Sequence, residues 1–201
     1  MRAISNNIDT RVFAPADQAV ARSLLGSPPE KQIVLIGAQK LTDFYKGFDL
    51  FLEAIRLLSF EHIHLVTFGR AAKESMASIP IPQTHLGFLA DAISLRLAYC
   101  AADVFVAASR MDAFGKTLAE SLACGTPVVC FDATGPKDIV DHRLTGYKAK
   151  PFDAADLARG IDWILGLPAD RYQAMRSQCR ESAVKRFDSR VIAHQYLDLY
   201  Q

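Results

Sequence analysis

The residues whose types and spacing could do chemistry fall into two groups. Lys40 and Lys46 stand six positions apart in a stretch that ends at Gly47 and the start of a helix. Two ammonium groups beside free helix N–H groups suit a diphosphate, because both favour anionic oxygens. Two solvated loop lysines would have the same spacing, so the pair alone leaves both readings open. The second group is Asp112, Phe114-Gly115-Lys116-Thr117 and Glu120. Asp112 falls in a loop, and Glu120 more than one turn into the helix that follows. There the two carboxylates could each accept hydrogen bonds from sugar hydroxyls at different places along an extended ligand. The plainer reading is a surface pair of Lys116 and Glu120 at i,i+4, worth about 0.3–0.5 kcal/mol. Gly115 would let a ligand approach the backbone closely, and the first N–H groups of a helix lack intrahelical acceptors.

Apolar bursts alternate with amphipathic stretches, and these are the elements that must position both groups. Buried strands are expected at 33–36, 63–68, 104–106 and 128–131, with a weaker one at 84–88. Helices are expected at 16–25, from Phe48 to Ile55 by the i, i+3, i+4, i+7 stripe, at 92–100 capped by Asp91, and at 115–123. Asp153 is placed to cap a further helix that stops at Gly166. The tail from Asp170 reads as two helical stretches hinged near Phe187-Asp188. Strand-helix alternation with wholly apolar strands predicts an α/β fold, a Rossmann-like parallel sheet with helices on both faces. In such a sheet ligands bind beyond the carboxyl ends of the strands. The loops expected there hold Lys40, Thr42, Asp43 and Lys46, then Ser109, Arg110, Asp112 and Gly115, then Asp132, Thr134, Lys137 and Asp138.

Composition narrows the classes. The chain has 201 residues, half of them hydrophobic, with 23 Lys+Arg against 22 Asp+Glu for a net charge of +1. That balance gives no reason to expect nucleic acid as a partner. No apolar run approaches the ~20 residues of a membrane span, and the start lacks a signal peptide's apolar stretch. Cys100, Cys124, Cys130 and Cys179 have no C-x-x-C spacing and read as free thiols of a cytoplasmic protein. His62 and His64 share a face without a third ligand, so no metal site is expected. His85 and Trp163 read as packing residues, and Asp103 and Asp141 as structural ones. There is no Gly-x-Ser-x-Gly, Walker loop or Gly-x-Gly-x-x-Gly.

Residues 109–140, SRMDAFGKTLAESLACGTPVVCFDATGPKDIV, resemble the signature of the family-four (group 1) retaining glycosyltransferases of GT-B fold. Asp112, Phe114-Gly115, Glu120 and the run from Ala123 to Val129 match that signature in order and spacing. Asn6-Asn7-Ile8-Asp9-Thr10, Lys46-Gly47-Phe48, Gly146-Tyr147 and Arg186-Phe187 match further segments, so the resemblance covers nearly the whole chain. It implies one half of a GT-B enzyme: residues 1–15 as interdomain linker and 16–201 as the donor-binding domain. The last helix, about 189–201, would pack towards an N-terminal acceptor domain. Such enzymes pass a sugar from a nucleoside diphosphate sugar to a carbohydrate or lipid-linked acceptor, with no metal or cofactor expected here, often in polysaccharide or glycolipid synthesis.

By the same resemblance Lys40 and Lys46 would hold the diphosphate, Glu120 the ribose hydroxyls and Asp112 a hydroxyl of the transferred sugar. Backbone N–H groups of Phe114 to Thr117 would meet the sugar, and Leu86-Gly87-Phe88 would lie beside the base. Three positions depart from the family pattern. Asp112 stands for a glutamate, and Lys40 for an arginine, losing the guanidinium fork. Thr134-Gly135-Pro136-Lys137-Asp138 stands for Gly-Gly-x-Pro-Glu, which leaves Asp138 as a weaker candidate contact. Alone, this half is expected to bind donor without transferring sugar, and any membrane association would come from the other half. A nucleotide-sugar epimerase or phosphorylase of the same fold, and a non-catalytic nucleotide-sugar binding module, are the alternatives. A receiver-type signalling domain is set aside, because the loop after its first strand would be acidic and here it is basic.

Overall fold

The computed structural model describes residues 4–59, 61–77 and 79–200. Residues 1–3 of the expected linker, and Gln201 at the end of the expected last helix, lie outside them. Six parallel strands form one sheet: β1 (Gln32–Lys40), β2 (Ile63–Arg70), β3 (Gln83–His85), β4 (Val104–Ala107), β5 (Val128–Phe131) and β6 (Gly146–Ala149). Their order is β3-β2-β1-β4-β5-β6. The apolar runs of β1, β4 and β5 are buried because helices cover both faces of the sheet. The helices are α1 (Gln18–Leu24), α2 (Phe48–Ile55), α3 (Lys73–Ala77), α4 (Ala92–Ala101), α5 (Lys116–Ala123), α6 (Pro136–Ile139), α7 (Ala154–Leu165), α8 (Ala169–Phe187) and α9 (Ser189–Leu197). Packing pairs are α2 with α7, α1 with α4, and α5 with α8. The expected Rossmann-like α/β architecture is present.

The expected caps form: Asp91 accepts from the Ser94 N–H and Asp153 from the Asp156 N–H. Asp103 is structural, as its place predicts. It accepts from Arg22 at 2.5 Å and from the Ile33 N–H at 2.6 Å, pinning α1 to the start of β1. The break near Phe187-Asp188 separates α8 from α9, where Asp188 accepts from the Arg190 N–H.

Several elements differ from the sequence reading, among them the short α3, which was not expected. The weak strand expected at 84–88 is confined to β3, since the chain turns away at Gly87 (φ +69°), whose carbonyl accepts from the Gly69 N–H at 2.7 Å. β6 went unread because Gly146-Tyr147-Lys148-Ala149 is short and half polar, as an edge strand can be. The short α6 went unread for the same lack of periodicity. The segment read as a linker lies against the domain. Ile8 bridges to Asp188, its N–H donating to the Phe187 carbonyl at 2.7 Å, and Ile8 and Phe13 are buried.

Candidate functional site

The strand order reverses between β1 and β4, and helices leave the sheet on either side of that point. Such a switch point opens a crevice beyond the strand ends. Here it is a cleft of about 430 Å³, walled by the end of β1 and the loop to α2 on one side, and by Ala107 to Ser109, Asp112 and the start of α5 on the other.

The two loops are locked together by close backbone approach. A 3-10 turn, Phe44–Lys46, ends at Gly47 (φ +65°), where an added Cβ would lie 1.9 Å from the Ala108 carbonyl oxygen. Arg110 completes the lock, a role not foreseen from the sequence. Its guanidinium takes both Asp49 oxygens at 2.6–2.7 Å and the Phe44 carbonyl at 3.0 Å, while its own N–H donates to the Tyr45 carbonyl at 2.8 Å. An arginine six residues before a helix carries no periodic signal, so only the folded arrangement reveals it.

Lys40, Lys46, Asp112, Lys116 and Thr117 all reach the cleft wall. The Lys46 ammonium stands 3.0 Å from Asp112, so the two expected ligand contacts hold one another across the crevice. Asp112 also accepts from the Phe114 N–H at 3.3 Å, which fixes the turn into α5. Lys40 is the more exposed cation and pairs with Asp43 at 2.9 Å; that hydrogen bond holds the Asp43 carboxyl below its ordinary pKa. Gly115 (φ +96°) is the N-cap of α5 and offers no side chain to its first N–H groups. The open helix end therefore faces the same space as the lysines. The Phe114 ring points elsewhere, packing edge-on against Phe187 at 5.6 Å.

Glu120 is buried, not the surface half of an ion pair. Its Oε2 accepts from the Tyr99 hydroxyl at 3.0 Å, and the Lys116 ammonium stands 3.9 Å from Oε1. Tyr99 lies in the aromatic core, edge-on to Phe68 and Phe105. Its hydroxyl finds a polar partner there, as a buried phenol must. Nothing in an amphipathic helix 21 residues upstream announced that contact. Burial raises the Glu120 pKa, opposed by the Tyr99 hydrogen bond and the Lys116 charge.

That balance has a measurable consequence. With its pKa raised in the folded state, Glu120 contributes stability present below the ordinary carboxylate pKa and lost as pH rises through its folded value. Tyr99→Phe removes a hydrogen bond to the charged form, so the Glu120 midpoint, followed by carboxyl-carbon NMR, is expected to move upward. An unmoved or lowered midpoint would show that the phenol does not hold the carboxylate.

The remaining candidates lie outside the cleft wall. Leu86-Gly87-Phe88 follows β3, with the Phe88 ring 4.5 Å from the Arg70 guanidinium and half exposed. Asp138 is exposed on α6, its backbone carbonyl held by Arg186. The His64 and His85 rings bond the Thr84 and Thr67 hydroxyls, at 2.9 and 2.8 Å, away from the cleft. All four cysteines are free and buried. Among the described residues no group of three or more His, Cys, Asp or Glu is arranged to hold a metal ion. No helix among them is long and apolar enough to cross a membrane.

Comparison with known proteins adds to this geometry. The chain is 29% identical over 175 residues to N,N'-diacetylbacillosaminyl-diphospho-undecaprenol alpha-1,3-N-acetylgalactosaminyltransferase of Campylobacter jejuni, covering 85% of this chain and 45% of that protein. It is 30% identical over 173 residues to D-inositol 3-phosphate glycosyltransferase of a Mycobacterium species, covering 79% of this chain and 38% of the relative. The chain thus spans less than half the length of these relatives. Among solved structures, sucrose-phosphate synthase of Thermosynechococcus elongatus superposes with a TM-score of 0.86 at 28% identity, over 99% of this chain and 51% of that one. HepE of Anabaena, solved with UDP and glucose, shares the fold at 22% identity with a TM-score of 0.85, over 99% of this chain and 56% of that one. The family model described as glycosyl transferases group 1 matches residues 24–186, and the chain belongs to that family.

Proposed function

We propose that this chain is the donor-binding half of a retaining glycosyltransferase that takes its sugar from a nucleoside diphosphate sugar. The observation that carries this reading is the switch-point cleft. It presents the Lys40 and Lys46 ammonium groups on one wall and Asp112 with the uncapped start of α5 on the other. Cations fixed before the reaction stabilise the negative charge that develops on a departing diphosphate, without having to reorganise as the bond breaks. The sugar would sit between Asp112 and the first N–H groups of α5, with a hydroxyl donating to that carboxylate. Glu120, oriented by Tyr99, would accept from the ribose hydroxyls, and Leu86 to Phe88 would flank the base.

The acceptor, a carbohydrate or lipid-linked sugar in polysaccharide or glycolipid synthesis, would be held by a second domain. The relatives' greater length supports this. So do Tyr196, Leu197, Leu199 and Tyr200, exposed apolar residues near the end of the chain, where packing towards that domain is proposed. The whole enzyme would work in the cytoplasm.

Calorimetric titration with UDP, GDP and ADP tests the reading. One nucleotide is expected to bind, and Glu120→Ala to weaken it about tenfold through the loss of charged hydrogen bonds. Failure of all three to bind the chain would count against a donor site complete in this half. Acceptor-dependent sugar transfer by this chain alone would refute the division of labour.

A further inference from the structure

A second cavity, of about 550 Å³, lies between α8 and the N-terminal segment at Pro15-Ala16. Gly125, which leads into β5, forms part of its wall, so it sits at the edge of the sheet opposite the donor cleft. Arg176 and Arg180 project from α8 into that wall. Arg96 approaches from α4, donating to the Ala14 and Pro15 carbonyls at 2.8 and 3.0 Å. Arg180 donates to the carbonyls of Phe13, Ala123 and Thr10 at 2.8–2.9 Å.

Three guanidinium groups therefore gather here, none of them paired with a carboxylate among the described residues. Glu181 also lines the cavity, but its carboxylate meets Gln178, at 3.5 Å. Arg176 stands out. Its Nη1 is buried with no hydrogen-bond partner, and its guanidinium carbon lies 5.8 Å from the centre of the Tyr172 ring. A buried, charged N–H left unpaired is costly, and a ligand oxygen would relieve that cost. The Cys100 thiol lies in the same positive field: its hydrogen bond with Cys124 chiefly draws its pKa down, burial opposes this, and the Ala16 backbone and then the Arg96 and Arg176 charges add to the lowering.

We propose that this cavity binds a small soluble phosphomonoester, with the Arg176 guanidinium as the principal contact to the phosphate. A planar guanidinium matches phosphate oxygens in geometry and charge. The volume lies within the range of small-molecule sites, and exceeds what a bare phosphate needs. Gln18, Gln173 and Ser177 supply neutral polar groups for the rest of the molecule. The site is separate from the donor cleft and does not depend on how that cleft is used.

Isothermal titration of the chain with inorganic phosphate and with glycerol 3-phosphate, at ionic strength held constant with chloride, tests it. Saturable binding is expected, tighter for the ester, and retained in Lys46→Ala, which removes a cation from the other cleft. Arg176→Gln is expected to weaken it about tenfold or more. Ser177→Glu, at a solvent-facing position, sets a carboxylate in the cavity and should abolish binding, which keeps the test decisive if the arginine variant fails to fold. Binding lost in Lys46→Ala but kept in both α8 variants would assign the heat to the donor cleft and overturn the proposal. No saturation by either ligand would overturn it as well.

Discussion

Lys46→Ala is expected to reduce nucleoside diphosphate affinity on the order of a hundredfold, through the loss of a charge-assisted contact and the exposure of an unpaired acid. The Lys46 ammonium is partly buried and held 3.0 Å from Asp112, so it meets the ligand with little further ordering. Removing it does two things. The diphosphate loses a donor, and Asp112 is left without its counter-charge facing an anionic ligand. Lys40→Ala should cost much less, because that side chain is largely exposed and pairs with Asp43 in solvent. Calorimetry of the two variants with the nucleotide that binds the parent chain checks the ranking. Equal losses, or a larger loss at Lys40, would show that the Lys46–Asp112 pair is not the diphosphate anchor.

Gly47→Ala is expected to lower thermal stability by about 3 kcal/mol or more, a size seen where backbone strain and steric overlap coincide. The residue needs φ +65°, and its Cβ would lie 1.9 Å from the Ala108 carbonyl oxygen. That oxygen belongs to the backbone just beyond β4 and cannot rotate away. The loop carrying Lys46 would have to lift off the strand, so nucleotide binding should fall with stability. Gly26 supplies the control. Its φ is +63°, yet nothing lies within 4 Å of an added Cβ, so Gly26→Ala should cost only the backbone preference, roughly 1 kcal/mol. Equal shifts in melting temperature for the two variants would rule out close approach as the reason for Gly47.

Much of the fold was legible because its signals are local. The runs at Ile33, Val104 and Val128 are wholly apolar and that at Ile63 is broken only by His64 and Thr67, as suits strands covered on both faces. The stripe of Phe48, Phe51, Leu52 and Ile55 repeats at helical spacing, and Asp91 and Asp153 stand where a cap is needed. Where burial was partial, the signal faded. β6 buries fully only the two ends of its four residues, and Gly87 ends β3 early through a hydrogen bond to Gly69 that no local pattern encodes.

The candidate site divides along the same line. Residue type and spacing alone determined that Lys40, Lys46, Asp112 and the Gly115 helix start would gather at one sheet edge, because parallel topology sends every strand-to-helix loop to the same side. Tertiary structure decided their states. It paired Lys46 with Asp112 across 66 positions, drove Glu120 into the core beside Tyr99, and left Arg176 with a buried, unpartnered N–H. Charge and hydrogen-bonding capacity belong to each side chain wherever it stands. Burial, partner and pKa arise only when distant segments meet and exclude water, and that meeting is what the folded chain supplies.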